Sequence, residues 1–270
     1  MPELPEVEIA ARNLTRWLQG KTITSAHIPE SRVLRGRSAR AITAALVGRK
    51  VLRVDRRGKW LRASLDDDSS VFLHFGMSGR VVRRALDAPT ERSERARVDV
   101  GATPASRASI RYLDPRMFGH LSIESEDIAA WTELGPDPLV DGIDTRTFAE
   151  ALGQRRRAIK EVLLDQTVLA GIGNIQATEA LWLARIDPRR RARSLEVREV
   201  GALARGILRS IGETLARDAS PEVVYVRDAA ADNPFRIYGR AGEPCPRCGA
   251  PLARVVQGGR ATVFCPGCQR

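Results

Sequence analysis

The first twenty residues carry apolar side chains at helical spacing, with Val7, Ala11, Leu14, Trp17 and Leu18 on one face. Pro5 suits a first turn, Glu6 and Glu8 suit the positive helix end, and Gly20 suits the stop, so one helix is predicted here. From Thr22 to about Ile123 the period changes. The runs ITSAHI, KVLRVDRRGKWLRASL, SVFLHF, RVVRRAL, ARVDVGA, SIRYLD and HLSIES are short, and several alternate every second residue between turn residues. They predict a β-rich domain built as a sandwich, with Asp87 to Glu94 as a polar surface loop. Past Trp131 the pattern is helical again. Short helices are expected over Asp144 to Leu152 and Arg157 to Asp165, then a helix after the glycines at 171 and 173. A long helix runs through Leu195, Val200, Leu203, Ile207, Ile211 and Leu215, with Ser194 as its expected N-cap.

The fold class is therefore α+β. Three parts are expected: a β-sandwich domain over 1–130, a helical domain over 131–220, and a linker with a zinc unit over 221–270. The last part holds the only four cysteines, Cys245, Cys248, Cys265 and Cys268, as two Cys-x-x-Cys knuckles separated by 16 residues. That spacing suits one tetrahedral, structural Zn2+ rather than disulfides or a redox pair. Val255 to Phe264 between the knuckles reads as a hairpin with Gly258-Gly259 at its tip and Arg260 just past the turn.

Charge narrows the partner. The formal net charge is +11, and 40 of the 44 basic residues are arginine. A polyanion, most often nucleic acid, fits this balance. No apolar run reaches the length of a membrane span and no signal peptide opens the chain, so a cytoplasmic protein is expected.

Several residues could carry chemistry. Pro2 follows Met1, and a small second residue permits methionine removal, which would expose a secondary amine able to add to an aldehydic carbon. Glu3 and Glu6 lie beside it as acid/base groups. Lys59 opens a strand next to Arg56 and Arg57. Met77 sits on a glycine-flanked loop, where it suits a wedge into a base stack or ordinary core packing. Arg116 and Phe118, two apart, point the same way if their segment is extended; one could bond a base and the other stack. Asn174 stands where glycines precede a helix, a place for phosphate or for a simple cap. Arg155 to Arg157 is either a phosphate contact or a solvated face.

Taken together, PELPEVE, GKWL, HFGMSGR, DPRMFG, LGPDPL, AIKEVLLDQ, GIGNIQATEAL, YGRAGEPC and GRATVFCPGCQ occur in order and resemble the formamidopyrimidine-DNA glycosylase family. The resemblance runs from residue 2 to residue 269 and is weakest over 81–112 and 216–235. It implies a bifunctional DNA glycosylase/AP lyase of base excision repair acting, as a monomer in a bacterial cytoplasm at the nucleoid, on double-stranded DNA with oxidised purines or abasic sites. Pro2 would be the Schiff-base nucleophile, Glu3 the neighbouring acid and Glu6 its support. Lys59 would assist β-elimination and Arg260 δ-elimination. Met77, Arg116 and Phe118 would fill the void left by the everted nucleotide, and Asn174 and Arg155 would hold phosphate.

The chain also departs from the pattern. Gln176 and Thr178 replace the usual tyrosine and serine, ERARVDV lacks a usual histidine (Arg95 or Arg97 would stand in for it), and the segment before YGR lacks the usual glycine- and tyrosine-rich loop. These changes bear on base choice and leave the nicking residues intact. An enzyme for oxidised pyrimidines is the nearest alternative. A catalytically silent damage-binding protein and an RNA-binding zinc-ribbon protein are alternatives of other classes.

Overall fold

The computed structural model describes residues 2–101, 107–217 and 233–270. The described residues fall into two compact units, 2–132 and 133–217 with 233–270.

The first unit opens with α1 (Leu4–Leu18), followed by β1 (Ile23–His27), α2 (Ala39–Leu46), β2 (Val51–Arg57), β3 (Trp60–Leu65), β4 (Ser70–His74), β5 (Arg80–Arg84), β6 (Glu94–Val100), β7 (Ala108–Leu113), β8 (His120–Glu124) and α3 (Ala129–Thr132). Two antiparallel four-stranded sheets form, ordered β1-β6-β7-β5 and β2-β3-β4-β8. The alternating runs become the strands, and their inward side chains, among them Leu61, Leu73, Val81 and Ile110, form the sandwich core. Completely burying Leu65 and Phe72 contributes roughly 2 kcal/mol each. α1 lays Leu4, Val7, Ala10 and Leu14 inward.

Sequence and structure differ here in two places. α2 has no counterpart among the predicted strands; Ser38 caps it by accepting the Ala41 N–H at 3.3 Å, and Ile42 and Leu46 fill the interior. Glu94 does not end a surface loop. It begins β6 and is buried beside Arg111, whose guanidinium lies 3.4 Å from it and also donates to the carbonyls of Ala88 and Pro89 at 2.6 Å.

The second unit contains α4 (Thr145–Gly153), α5 (Ile159–Leu163), α6 (Asn174–Leu183), α7 (Val197–Arg217), β9 (Ala253–Gln257) and β10 (Arg260–Phe264). The expected N-cap Ser194 instead closes a short 3-10 turn, and its hydroxyl donates to the Arg191 carbonyl at 2.8 Å. α7 starts at Val197, where Glu199 accepts the Glu196 N–H at 2.9 Å. α6 and α7 share a buried polar link. Ser210 donates to Gln176 Oε1 at 2.7 Å, and Gln176 Nε2 donates to Thr214 at 3.2 Å. No helix among the described residues is long and apolar enough to cross a membrane.

Candidate active site and DNA interface

The start of α1 concentrates buried acid. Pro2, Glu3 and Glu6 are all buried, Glu3 completely. A capping box locks them. Glu6 Oε2 accepts the Glu3 N–H at 2.8 Å, and the Glu3 side chain takes the N–H of Glu6. Burial and then the negative charge of Glu3 push the Glu6 carboxyl up to about 7, against the pull of the backbone N–H groups it accepts. Glu6 is thus poised to exchange a proton near neutral pH.

Lys59 is not the first residue of a strand; it is the second residue of the two-residue Gly58-Lys59 turn joining β2 to β3. Gly58 has φ +56°, a conformation glycine adopts without strain. Arg56 ties this turn to α1. Its Nε donates to Glu8 Oε2 at 2.7 Å and its Nη1 to the Gly58 carbonyl at 3.1 Å, while its side chain is 3% exposed.

Trp60, His74 and His120 are paired in register across β3, β4 and β8. Their rings touch, with centroids 4.9 Å apart for Trp60–His74 and 5.1 Å for Trp60–His120. Three segments leave the sheet beside this ladder: Lys59 before Trp60, the Met77 loop after His74, and the Phe118 turn before His120. His74 Nδ1 accepts the Gly76 N–H at 3.1 Å. Burial, followed by the nearby cations Lys59 and Arg35 and by His120, lowers His74 to about 4, so its ring is neutral at physiological pH.

Met77, Arg116 and Phe118 are all exposed, Met77 at 39% and Phe118 at 46%. The segment carrying the last two is a turn, not an extended strand, and Met117 within it has φ +54°. The two side chains still meet, with the Arg116 guanidinium 4.9 Å above the Phe118 ring. Arg35 braces the turn by donating to the carbonyls of Phe118 (3.3 Å) and Gly119 (3.1 Å). Arg95 donates to the Asp114 carbonyl at 3.0 Å, and Arg97 lies 3.6 Å from Glu94.

In the second unit Asn174 is the first residue of α6. Its side chain faces inward. Oδ1 accepts from Lys160 Nζ at 2.7 Å, and Nδ2 donates to the Ala261 carbonyl at 3.0 Å. Lys160, completely buried, also donates to Thr178 (3.2 Å) and Thr262 (3.1 Å). This network holds α5, α6 and β10 together, so the residue after Arg260 is pinned to the start of α6. Thr178, one of the departures, has its place here as Gln176 has against α7. Arg260 is exposed at the start of β10, after a turn in which Gly258 and Gly259 both have positive φ. It lines an open cleft of about 250 Å3 with Arg157, Glu161, Leu164, Asp165 and Gly258. Arg155 stands 3.8 Å from Asp165, which Arg157 also approaches to 2.9 Å.

The sulfurs of Cys245, Cys248, Cys265 and Cys268 lie within 4.8 Å of one another. A tetrahedral zinc with bonds of about 2.3 Å needs sulfurs roughly 3.8 Å apart, so this donor set fits one structural Zn2+ with no open position. Trp182, Ile237, Leu252 and Val263 pack around Cys245 and Cys265, fastening the thiolate cluster to α6.

The sequence pattern assigned no site role to Asp114, Arg56, Glu8 or the histidine ladder. Each acts through partners distant in the chain. Asp114, His74 and Trp60 carried a signal only as members of the DPRMFG, HFGMSGR and GKWL motifs.

The parts define a two-unit protein in which a sandwich buries Pro2 beside the Glu3/Glu6 pair and exposes Met77, Arg116 and Phe118, and a helical unit carries a hairpin beside a four-cysteine cluster. Residues 1–121 match the formamidopyrimidine-DNA glycosylase N-terminal domain, 134–224 its H2TH domain, and 242–270 the zinc finger found in FPG and IleRS. The formamidopyrimidine-DNA glycosylase of Herpetosiphon aurantiacus is 37% identical over the whole of both chains, and that of Moorella thermoacetica 39% identical over 94% of each. A solved complex of Lactococcus lactis Fpg with abasic-site DNA superposes with a TM-score of 0.87 at 30% identity over 99% of both chains. MutM bound to DNA containing carbocyclic 8-oxo-G gives 0.88 at 31% identity over 100% of both. The chain belongs to the formamidopyrimidine-DNA glycosylase family.

Proposed function

We propose that this chain is a bifunctional DNA glycosylase/AP lyase that excises oxidised purines from double-stranded DNA in base excision repair. The observation that carries this reading is the α1 start, where Pro2 adjoins a buried, reciprocally bonded Glu3/Glu6 pair, in a chain that matches its relatives from end to end. After Met1 removal the Pro2 nitrogen attacks the sugar carbon bearing the damaged base. Glu3 serves as the acid, delivering a proton as the glycosidic bond breaks, and Glu6, near neutrality, supports it. The sugar ring then opens at its C1′–O4′ bond, the ring oxygen taking up the proton that the Pro2 nitrogen gave up; the resulting iminium acidifies the neighbouring carbon–hydrogen bond, and the two phosphates leave in turn by β- and δ-elimination. Lys59 stabilises the first leaving phosphate and Arg260 the second.

The lesion must first leave the stack. Met77, Arg116 and Phe118 occupy the gap, with the Arg116–Phe118 stack meeting the orphan base. Because Lys160 and Ala261 engage the Asn174 side chain, its phosphate contact comes from the backbone N–H at the positive end of α6. Arg155 adds a further phosphate contact. Zinc is structural and rigidifies the hairpin bearing Arg260.

The parts divide as a catalytic domain over 1–130, a helix–two-turn–helix domain over 131–220, and a linker with the finger over 221–270. One copy supplies every role, and the chain works as a monomer on the nucleoid of a bacterial cytoplasm. The test is a panel of duplexes bearing 8-oxoguanine, ring-opened purines, oxidised pyrimidines or an abasic site, with product ends resolved on a gel. Preferred release of oxidised purines with phosphate at both ends of the gap is expected. Preference for pyrimidines, or binding without incision, would overturn this assignment.

A further inference from the structure

We propose that Asp114 is the positioning residue that makes Met77, Arg116 and Phe118 act as one wedge; this rests on the wedge role given to them above. The Asp114 side chain is completely buried, and four donors converge on it. Oδ1 accepts the Ser78 hydroxyl at 2.6 Å and the Arg116 N–H at 3.3 Å. Oδ2 accepts the Gly119 N–H at 2.9 Å and the Tyr112 hydroxyl at 3.3 Å. Every wedge residue is therefore bound to this carboxylate at its own backbone or at its immediate neighbour: Met77 through Ser78, Arg116 directly, Phe118 through Gly119.

A carboxylate is the group this place requires. It only accepts, and all four partners donate. An asparagine would turn an NH2 toward one pair of donors and leave buried donors unmatched. The backbones of the two loops also touch. A Cβ on Gly76 would collide with the Phe118 carbonyl carbon, and one on Gly119 would stand 2.7 Å from the His74 carbonyl oxygen. The two loops, 36 residues apart at the Ser78–Asp114 bond, thus form a single body. A wedge works only if its parts are held before the base leaves, since ordering them during flipping would subtract from what they contribute.

Two substrates separate positioning from general damage. A duplex with 8-oxoguanine opposite cytosine requires the wedge; an abasic site in single-stranded DNA has no stack to open and no orphan base. Under single-turnover conditions, Asp114→Asn should slow duplex excision at least tenfold and Ser78→Ala several-fold. Both should incise the single strand within twofold of the parent chain. Ser78→Ala removes the shortest bond without burying anything new, and it decides the matter if Asp114→Asn does not fold. Equal loss on both substrates, or unchanged duplex excision in Ser78→Ala, overturns the proposal. A parent chain that incises the single strand but excises no lesion from the duplex contradicts the glycosylase reading instead, and the wedge with it.

Discussion

Two titratable groups of the sandwich unit lean in opposite directions. Glu6 ordinarily titrates at 4.5 and is raised to about 7 in the fold, so its burial costs more stability as pH climbs from 4.5 to 7. His74 ordinarily titrates at 6.5 and is lowered to about 4, so its contribution is complete above 6.5 and is lost as pH falls toward 4. His120 is lowered too, by burial and then Arg35, and adds to the second effect. Between pH 5 and 6.5 the two slopes oppose, each amounting to about 2 kcal/mol. Glu6→Gln should therefore become more stable with rising pH in this window and His74→Gln less stable, as read from urea midpoints. Parallel curves for both variants would show that these groups do not set the pH response. Pro2, Glu3 and Glu6 were legible in the sequence because a helix start is local. Asp114 and His74 gain their roles from sheet register and from Ser78, and no local pattern announces that.

The strands and most helices followed from periodicity, since burial of alternating or helically spaced side chains is what shapes them. α2 escaped because eight residues with one apolar face resemble a broken strand run. The Ser194 cap failed because the Glu196–Glu199 bond offered α7 a better start two residues later. The β2–β3 turn makes a claim about elements working together: Glu8 on α1 holds Arg56, and Arg56 holds the turn bearing Lys59. Glu8→Gln removes this carboxylate from a buried guanidinium. It should cost about 2 kcal/mol of stability and slow β-elimination at abasic DNA more than it weakens binding. Binding and elimination falling together would show that Arg56 serves the fold alone.

For the whole molecule, cysteine spacing alone gave the metal unit, because four thiolates at two short intervals admit few other uses. The fit of that hairpin to α6 through Trp182 was not legible, as it depends on contacts that span more than 60 residues. Chelation should release about one equivalent of zinc per chain and abolish δ-elimination, read by gel, before the sandwich unfolds, read by circular dichroism. Loss of zinc with unchanged product ends would detach Arg260 from the chemistry.

The proposed chemistry turns on one covalent bond, from the Pro2 nitrogen to the sugar. Borohydride reduction on abasic duplex followed by mass spectrometry of the crosslinked peptide tests it most directly. The adduct is expected on Pro2 of chains lacking Met1, and chains with an extended or acetylated terminus should not be trapped. An adduct mapped to Lys59, or full trapping with Met1 retained, would contradict it.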